Sequence, residues 1–141
     1  PRRDSTVIYI VDDEESVQKG FLLLLRSAGM NCRAFGSAGQ FLEEVDAQGE
    51  GCVLLDITMP RLTGLELQKE LKQRNIHLPV IAVSARDDDE TRLLARRLGA
   101  RFFLRKPVDD QALIDAIHWV MGRDPAKPAG DSPAPPRSSS S

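Results

Sequence analysis

The 141-residue sequence lacks the features that mark several broad classes of protein. It has no apolar run near the roughly 20 residues that a membrane-spanning helix needs, and no signal-peptide pattern at its start. Its formal net charge is only −2, so charge alone makes no case for a nucleic-acid or membrane surface. The two histidines, His77 and His118, have no partners at ligand spacing, and we assign them no chemistry. These absences leave a globular protein that works without a membrane.

Cysteine is also scarce, because the chain has only Cys32 and Cys52. Each falls in a separate predicted strand, and two strands that are not neighbours hold their cysteines too far apart for a normal disulfide. We therefore expect two buried, inert thiols and a cytoplasmic location.

What is present is the composition of one ordinary domain, with 41% hydrophobic and 28% charged residues. The composition changes after Gly122, because residues 123–141 hold five of the nine prolines and end in four serines. With no large apolar residue, this segment cannot bury enough surface to offset the entropy of ordering. The sequence thus predicts a folded domain over residues 1–122 and a disordered tail or interdomain linker over residues 123–141.

Within residues 1–122, short apolar runs alternate with segments of helical periodicity. The runs show no polar alternation, which is typical of strands buried on both faces. They cover residues 6–11, 32–35, 52–55, 78–83 and 101–105. In the fourth helical segment we expect Leu93, Leu94 and Leu98 to face inward. Five βα repeats predict an α/β fold, with a parallel sheet covered by helices on both faces.

Polar side chains follow four of the five predicted strands. Because the carboxyl ends of parallel strands meet at one edge of a sheet, we expect these side chains to converge there. They are Asp12 and Asp13 after the first strand, Asp56 after the third, Ser84 after the fourth and Lys106 after the fifth.

The chemistry of this group points to a metal ion and a phosphoryl group. Clustered carboxylates repel one another, and a hard cation such as Mg2+ relieves that repulsion while keeping waters for a phosphate. Lys106 and Ser84 can bind the oxygens of an oxyanion. Asp56, at the centre, is the natural nucleophile for an aspartyl phosphate. Taken singly, Asp12 and Asp13 are more typical of a helix cap, Ser84 of a turn and Lys106 of a solvated surface. In this order and together they favour a functional site.

The same residues make the chain resemble the receiver domain of a two-component response regulator, from Val7 to about Met121. The motifs are Val11-Asp12-Asp13-Glu14, Leu55-Asp56-Ile57-Thr58-Met59-Pro60 with Gly64, Ser84-Ala85, and Phe103 with Lys106-Pro107. Residues 51–71 most resemble receivers that precede a helix-turn-helix output domain. The resemblance implies a flavodoxin-like (βα)5 fold with strand order 2-1-3-4-5, which would separate Cys32 from Cys52.

The resemblance also implies a set of roles. A histidine kinase would transfer its phosphoryl group to Asp56, and Mg2+ (or Mn2+) would be held by Asp13, Asp56 and the backbone carbonyl of Thr58, with Asp12 acting through water. Ser84 and Lys106 would bind the phosphoryl oxygens, and the Lys106–Pro107 peptide bond would be cis. No other cofactor is implied.

A phosphorylated receiver would change shape at a distance from Asp56. The resemblance implies that Ser84 moves inward, Phe103 rotates behind it, and the surface of helix four, strand five and helix five is altered to control an output such as transcription. The arginines near this surface suggest a homodimer, although a solvated face is the plainer interpretation. DNA would be bound only through an output domain absent from this chain. Thr58 and Arg86 occupy positions that tune the phosphate lifetime in the family.

Two other function classes fit the sequence less well. A phosphatase acting through an aspartyl phosphate needs a D-x-D motif after the first strand, which Asp12-Asp13-Glu14 does not provide. A flavin-binding protein needs a phosphate-binding loop at the same place, where acids would repel phosphate. We therefore expect a switch that catalyses only its own phosphoryl transfer and dephosphorylation. Leu22 and Leu23 either pack against the sheet or form a kinase-docking patch.

Overall fold

The computed structural model describes residues 6–46, 48–57, 64–85 and 89–122. Strands and helices alternate along these ranges, as the fivefold repeat predicts. In chain order they are β1 (Thr6–Val11), α1 (Glu15–Ser27), β2 (Cys32–Phe35), α2 (Ala38–Glu44), β3 (Glu50–Asp56), α3 (Gly64–Gln73), β4 (Val80–Ser84), α4 (Asp89–Arg97), β5 (Ala100–Arg105) and α5 (Asp110–Val120). Thr58, Arg86 and residues 123–141 lie outside the described residues, so the predictions made for them remain predictions.

The strands form one parallel sheet in the order β2-β1-β3-β4-β5, which confirms the predicted fold. Ile8 of β1 pairs with Cys32 on one side and with Cys52 on the other. Both cysteines are buried and free, as expected. Burial raises the pKa of the Cys52 thiol to about 12, so this thiol stays protonated and unreactive.

Helices cover both faces of the sheet, and each face has its own apolar core. On one face α2, α3 and α4 pack over the odd-numbered side chains of β1 and β3, including Val11 and Leu55. On the other face α1 and α5 pack over the alternate side chains, including Ile10 and Leu54. Burial on both faces explains why these strands are apolar throughout.

Glycine at the start of β3 is required by the pairing with β1. Gly51 has φ +149°, and a Cβ atom there would lie 1.9 Å from the carbonyl oxygen of Val7. A side chain would therefore push β1 and β3 apart. This close pairing matters for function because β1 and β3 carry the aspartates at their carboxyl ends.

The predicted inward face of α4 is wrong. Leu93 and Leu94 are 50% and 40% exposed, Leu98 is half-buried, and the buried residue of the helix is Ala95. The small Ala95 side chain allows α4 to pack closely, and its carbonyl oxygen accepts a hydrogen bond of 3.1 Å from Gln68 Nε2 of α3. The face of α4 that packs inward is made of small or partly buried residues at helical spacing, and Leu93 and Leu94 are not on that face.

No helix in the described ranges combines the length and apolar character that crossing a bilayer requires. The Lys106–Pro107 peptide bond is cis, as the resemblance implied.

Candidate functional site

The register between β1 and β3 brings two aspartates side by side. Val11 is the partner of Leu55, and the next residue of each chain segment is an aspartate, Asp12 or Asp56. Both are almost fully buried, with 2% and 4% of their surface exposed. Asp13 follows at once and is exposed. One carboxylate oxygen from each of the three lies within 4.8 Å of the others.

Lys106, the residue that follows β5, completes the group. Its backbone N–H donates a 2.9 Å hydrogen bond to the carbonyl oxygen of Ser84, which fixes the chain as it leaves the strand. Its Nζ atom lies 3.0 Å from Asp12 Oδ2 and 3.3 Å from Asp56 Oδ2. The ammonium group is thus shared between two buried carboxylates, with only 16% of the lysine side chain exposed.

Burial and neighbouring charges shift the pKa values of Asp12 and Lys106. Burial raises the pKa of Asp12, and the negative charge of Asp56 adds to this, while the hydrogen bonds from Glu14 and Lys106 oppose it. Burial also disfavours the charge on Lys106, but its hydrogen bond to Asp12 and the charge of Asp56 outweigh burial and raise the pKa of Lys106. The lysine is therefore a permanent positive charge at neutral pH.

A simple capping role does not explain the two aspartates after β1. The N-cap residue of α1 is Glu14, and its side chain makes no capping hydrogen bond. Asp12 Oδ1 accepts a 2.9 Å hydrogen bond from the Glu14 N–H, which is a local turn before the helix. Asp13 points to solvent beside the other carboxylates, so the arrangement favours a ligand over a cap.

The two predicted switch residues occupy the neighbouring strands. Ser84 is fully buried at the end of β4, and its carbonyl oxygen binds the backbone N–H of Lys106. Phe103 of β5 pairs with Ala82 and is half-buried. The guanidinium carbon of Arg92, from α4, lies 5.0 Å from the centre of the Phe103 ring, in a cation–π contact. Phe103 therefore lies directly under α4.

Two further polar residues have roles that the sequence did not reveal. Glu14 Oε1 lies 3.4 Å from Lys106 Nζ, 92 positions along the chain, whereas the sequence shows Glu14 only as part of the motif after the first strand. Gln68 is 1% exposed, and its Oε1 atom has no hydrogen-bond partner within the described residues. Only its position between Leu67 and Leu71 could have indicated burial, and a polar residue beside an apolar stripe is ordinarily exposed.

The donor set fits a hard divalent cation. All the ligand atoms are carboxylate oxygens, which Mg2+ and similar ions prefer over nitrogen or sulfur. The three aspartates adjoin a single lysine, Lys106, whose one positive charge does not balance their negative charges. A bound cation would relieve that excess.

The sequence matches the family model described as the response regulator receiver domain over residues 8–118. It is 37% identical over 120 residues to the transcriptional regulatory protein FixJ of Azorhizobium caulinodans, with 85% of this chain and 57% of that protein covered. It is 38% identical over 118 residues to the transcriptional regulatory protein TdiR of Thauera aromatica, with 84% and 52% covered. The chain thus spans about half the length of the curated relatives it matches.

Comparison with solved structures also finds response regulators. The solved structure of the response regulator StyR superposes with a TM-score of 0.78 at 37% identity, and the match covers 84% of this chain and 60% of that one. Strand order, strand-end acids and sequence similarity agree, and the chain belongs to the response regulator receiver domain family.

Proposed function

We propose that this chain is a phosphorylation-dependent signalling switch that accepts a phosphoryl group on Asp56 from a histidine kinase. The observation that carries the proposal is the position of Asp56, which is buried, adjoins two other acids and faces the Lys106 ammonium group at 3.3 Å. As a receiver domain the chain is a signalling protein rather than a metabolic enzyme. The catalysis we assign to it is its own phosphorylation and dephosphorylation.

The reaction is a displacement at phosphorus. A carboxylate oxygen of Asp56 attacks the phosphorus of the kinase phosphohistidine, so that a P–O bond forms and the P–N bond breaks. The leaving imidazole nitrogen keeps the electron pair and takes up a proton. Lys106 is already charged and lies beside the attacking carboxylate of Asp56, where it can also bind a phosphoryl oxygen.

We assign the cation site to Mg2+ (or Mn2+), held by Asp13 and Asp56. Asp12 would act through water, and the backbone carbonyl of Thr58, outside the described residues, would be a further ligand. The cation supplies positive charge that offsets the repulsion between the Asp56 carboxylate and the incoming phosphoryl oxygens. The buried, lysine-paired state of Asp12 suits an indirect role, whereas the exposed Asp13 can reach an ion at the mouth of the site.

Ser84 and Phe103 connect the site to the distant surface. The backbone hydrogen bond from Lys106 to Ser84 joins the ends of β4 and β5 beside Asp56. We expect the Ser84 hydroxyl to shift toward a phosphoryl oxygen on Asp56 at this point. Such a shift leaves space behind Ser84 into which Phe103 can rotate. Since Arg92 of α4 lies over the Phe103 ring, inward rotation breaks that contact and alters the α4–β5–α5 surface.

We infer that the altered surface is a dimer interface. Leu93 and Leu94 are exposed on α4, and exposed charged residues of both signs lie on α4, on β5 and around the start of α5. These charged residues include Arg96, Arg97, Arg101, Arg105, Asp109 and Asp110. We expect a sedimentation experiment to show a monomer without phosphate and a dimer once a phosphate mimic is bound. An unchanged monomer at high protein concentration contradicts the dimer.

The remaining parts of the proposal concern partners. Leu23 of α1 is 74% exposed, which supports the docking of a kinase on that helix over packing against the sheet. The relatives are transcriptional regulators about twice as long as the matched region, so we assign DNA binding to an output domain outside it. We place the protein in the cytoplasm, where such a kinase would deliver its phosphoryl group, and we read residues 123–141 as a tail or linker after the receiver.

A small phosphoryl donor tests the function without the kinase. The chain is incubated with acetyl phosphate in Mg2+ or in EDTA, and its intact mass is recorded over time. We expect the mass of one phosphoryl group to be gained only in Mg2+ and to be removed by hydroxylamine, which cleaves acyl phosphates. A chain that gains no mass in Mg2+ contradicts the proposal, as does an adduct that resists hydroxylamine.

A further inference from the structure

The Lys106 ammonium group is in contact with three carboxylates. Its Nζ atom lies 3.0 Å from Asp12 Oδ2, 3.3 Å from Asp56 Oδ2 and 3.4 Å from Glu14 Oε1. An ammonium group has three N–H donors and no acceptor. The ammonium group thus has as many carboxylates within 3.4 Å as it has donors, before any phosphoryl group arrives.

The three carboxylates differ in how firmly they are held. Asp12 and Asp56 are 2% and 4% exposed inside the sheet edge, whereas the Glu14 side chain is 61% exposed. The backbone of Glu14 is held by its N–H bond to Asp12, whereas its carboxylate contacts Lys106 from the solvent-exposed side of the site. A phosphoryl oxygen that needs an N–H from Lys106 can displace Glu14 at the lowest cost.

We propose that Glu14 competes with the phosphoryl group for Lys106 and thereby discriminates against small, doubly charged phosphoryl donors. This inference rests on the proposed function of Asp56. Glu14 is a positioning residue, because it acts on the reaction through Lys106. Its negative charge lies at the solvent side of the lysine, where an incoming dianion must approach. A donor of lower charge meets less repulsion there.

Such an exposed ion pair contributes little to the free energy of unfolding. It matters for the phosphorylation rate, because the same contact must break each time Lys106 binds a phosphoryl oxygen. A kinase can compensate through its own contacts with the receiver, whereas a small molecule cannot. Glu14 would therefore favour the protein donor over metabolic phosphoryl donors of the acyl phosphate class.

The test compares Glu14→Gln with the wild-type chain and with Glu15→Gln. Glutamine keeps an oxygen that can accept from Lys106 but removes the charge. Glu15 is the neighbouring exposed acid at the start of α1 and controls for net charge. Initial phosphorylation rates in Mg2+ are measured by intact mass, with dianionic acetyl phosphate and with monoanionic phosphoramidate, at low and high salt.

For Glu14→Gln we expect the rate with acetyl phosphate to rise about two- to fivefold at low salt, which is the range of an exposed charge interaction. The rise should be smaller with phosphoramidate and should shrink at high salt. Glu15→Gln should match the wild type. A purely structural role for Glu14 would not produce this dependence on donor charge and salt.

Two results would overturn the inference. If Glu14→Gln reacts like Glu15→Gln, or more slowly than the wild type, Glu14 does not compete for Lys106, and the proposed function stands as long as the wild type is phosphorylated. If the wild-type chain takes no phosphoryl group from either donor, the proposed function fails and this inference fails with it.

Discussion

A chain carrying Asp56→Asn is expected to gain no hydroxylamine-sensitive phosphoryl group from acetyl phosphate in Mg2+. The amide has the shape of the carboxylate but lacks its nucleophilic charge, so we expect the rate to fall at least about a thousandfold, as it does when other enzymes lose their nucleophile. The measurement is the intact mass over time, with the wild-type chain beside it.

The Asp56→Asn chain should remain folded, which makes its inactivity informative. Lys106 keeps its 3.0 Å contact with Asp12, and the substitution removes one of two neighbouring buried charges. Asp115→Asn is the matched control, since Asp115 is an exposed aspartate on α5. The control should be phosphorylated like the wild type. Equal phosphorylation of Asp56→Asn and Asp115→Asn would remove Asp56 from the mechanism.

The second large effect concerns stability in the absence of metal. In EDTA at neutral pH, Lys106→Met is expected to lower the free energy of unfolding by about 3–5 kcal/mol, because it leaves Asp12 and Asp56 buried without a counter-charge. Urea unfolding can be followed by the fluorescence of the single tryptophan, Trp119, which packs edge-on against Phe102 on the far face of the sheet.

The loss in free energy of unfolding caused by Lys106→Met should depend on metal and on pH. Mg2+ should stabilise the variant more than the wild type, since the cation takes over charge that the lysine supplied. Burial raises the folded-state pKa of Asp12 above the value of 3.8 that is ordinary for an aspartate, so its ionisation destabilises the fold as pH rises through that raised pKa. Removing Lys106 strengthens this effect. The difference between variant and wild type should therefore narrow as pH falls toward 3.8.

The control for this experiment is Lys72→Met, on the exposed side of α3. It should change the free energy of unfolding by less than about 0.5 kcal/mol, as surface substitutions usually do. If Lys106→Met unfolds at the same urea concentration as Lys72→Met in EDTA, the two buried aspartates do not depend on the lysine.

Much of the fold was predictable because buried parallel strands leave a clear pattern. Runs such as 6–11 and 52–55 are apolar on both faces, and both cores of the structure use them. The position of the acids also follows from local sequence, since Asp12 and Asp56 come directly after such runs and parallel pairing aligns their ends. Strand order came from the family resemblance, because a βα repeat alone is compatible with several orders.

The details that escaped prediction depend on contacts between distant segments. Leu93 and Leu94 look like a buried stripe, but α4 packs through the small Ala95, whose carbonyl oxygen accepts a hydrogen bond from Gln68 of α3. The apolar run predicts that the third strand begins at residue 52, whereas Gly51 lies inside β3, where the carbonyl of Val7 leaves no room for a side chain. The Glu14–Lys106 contact spans 92 positions, and no local pattern marks it.

The most direct test of the central claim is to locate the phosphoryl group chemically. The wild-type chain is phosphorylated with acetyl phosphate in Mg2+, reduced with borohydride, which converts an aspartyl phosphate to homoserine, and then digested and sequenced by mass spectrometry. We predict homoserine at position 56 and aspartate at positions 12 and 13. Homoserine at another position, or at none in a chain that has gained a phosphoryl group, would contradict the assignment of Asp56 as the acceptor.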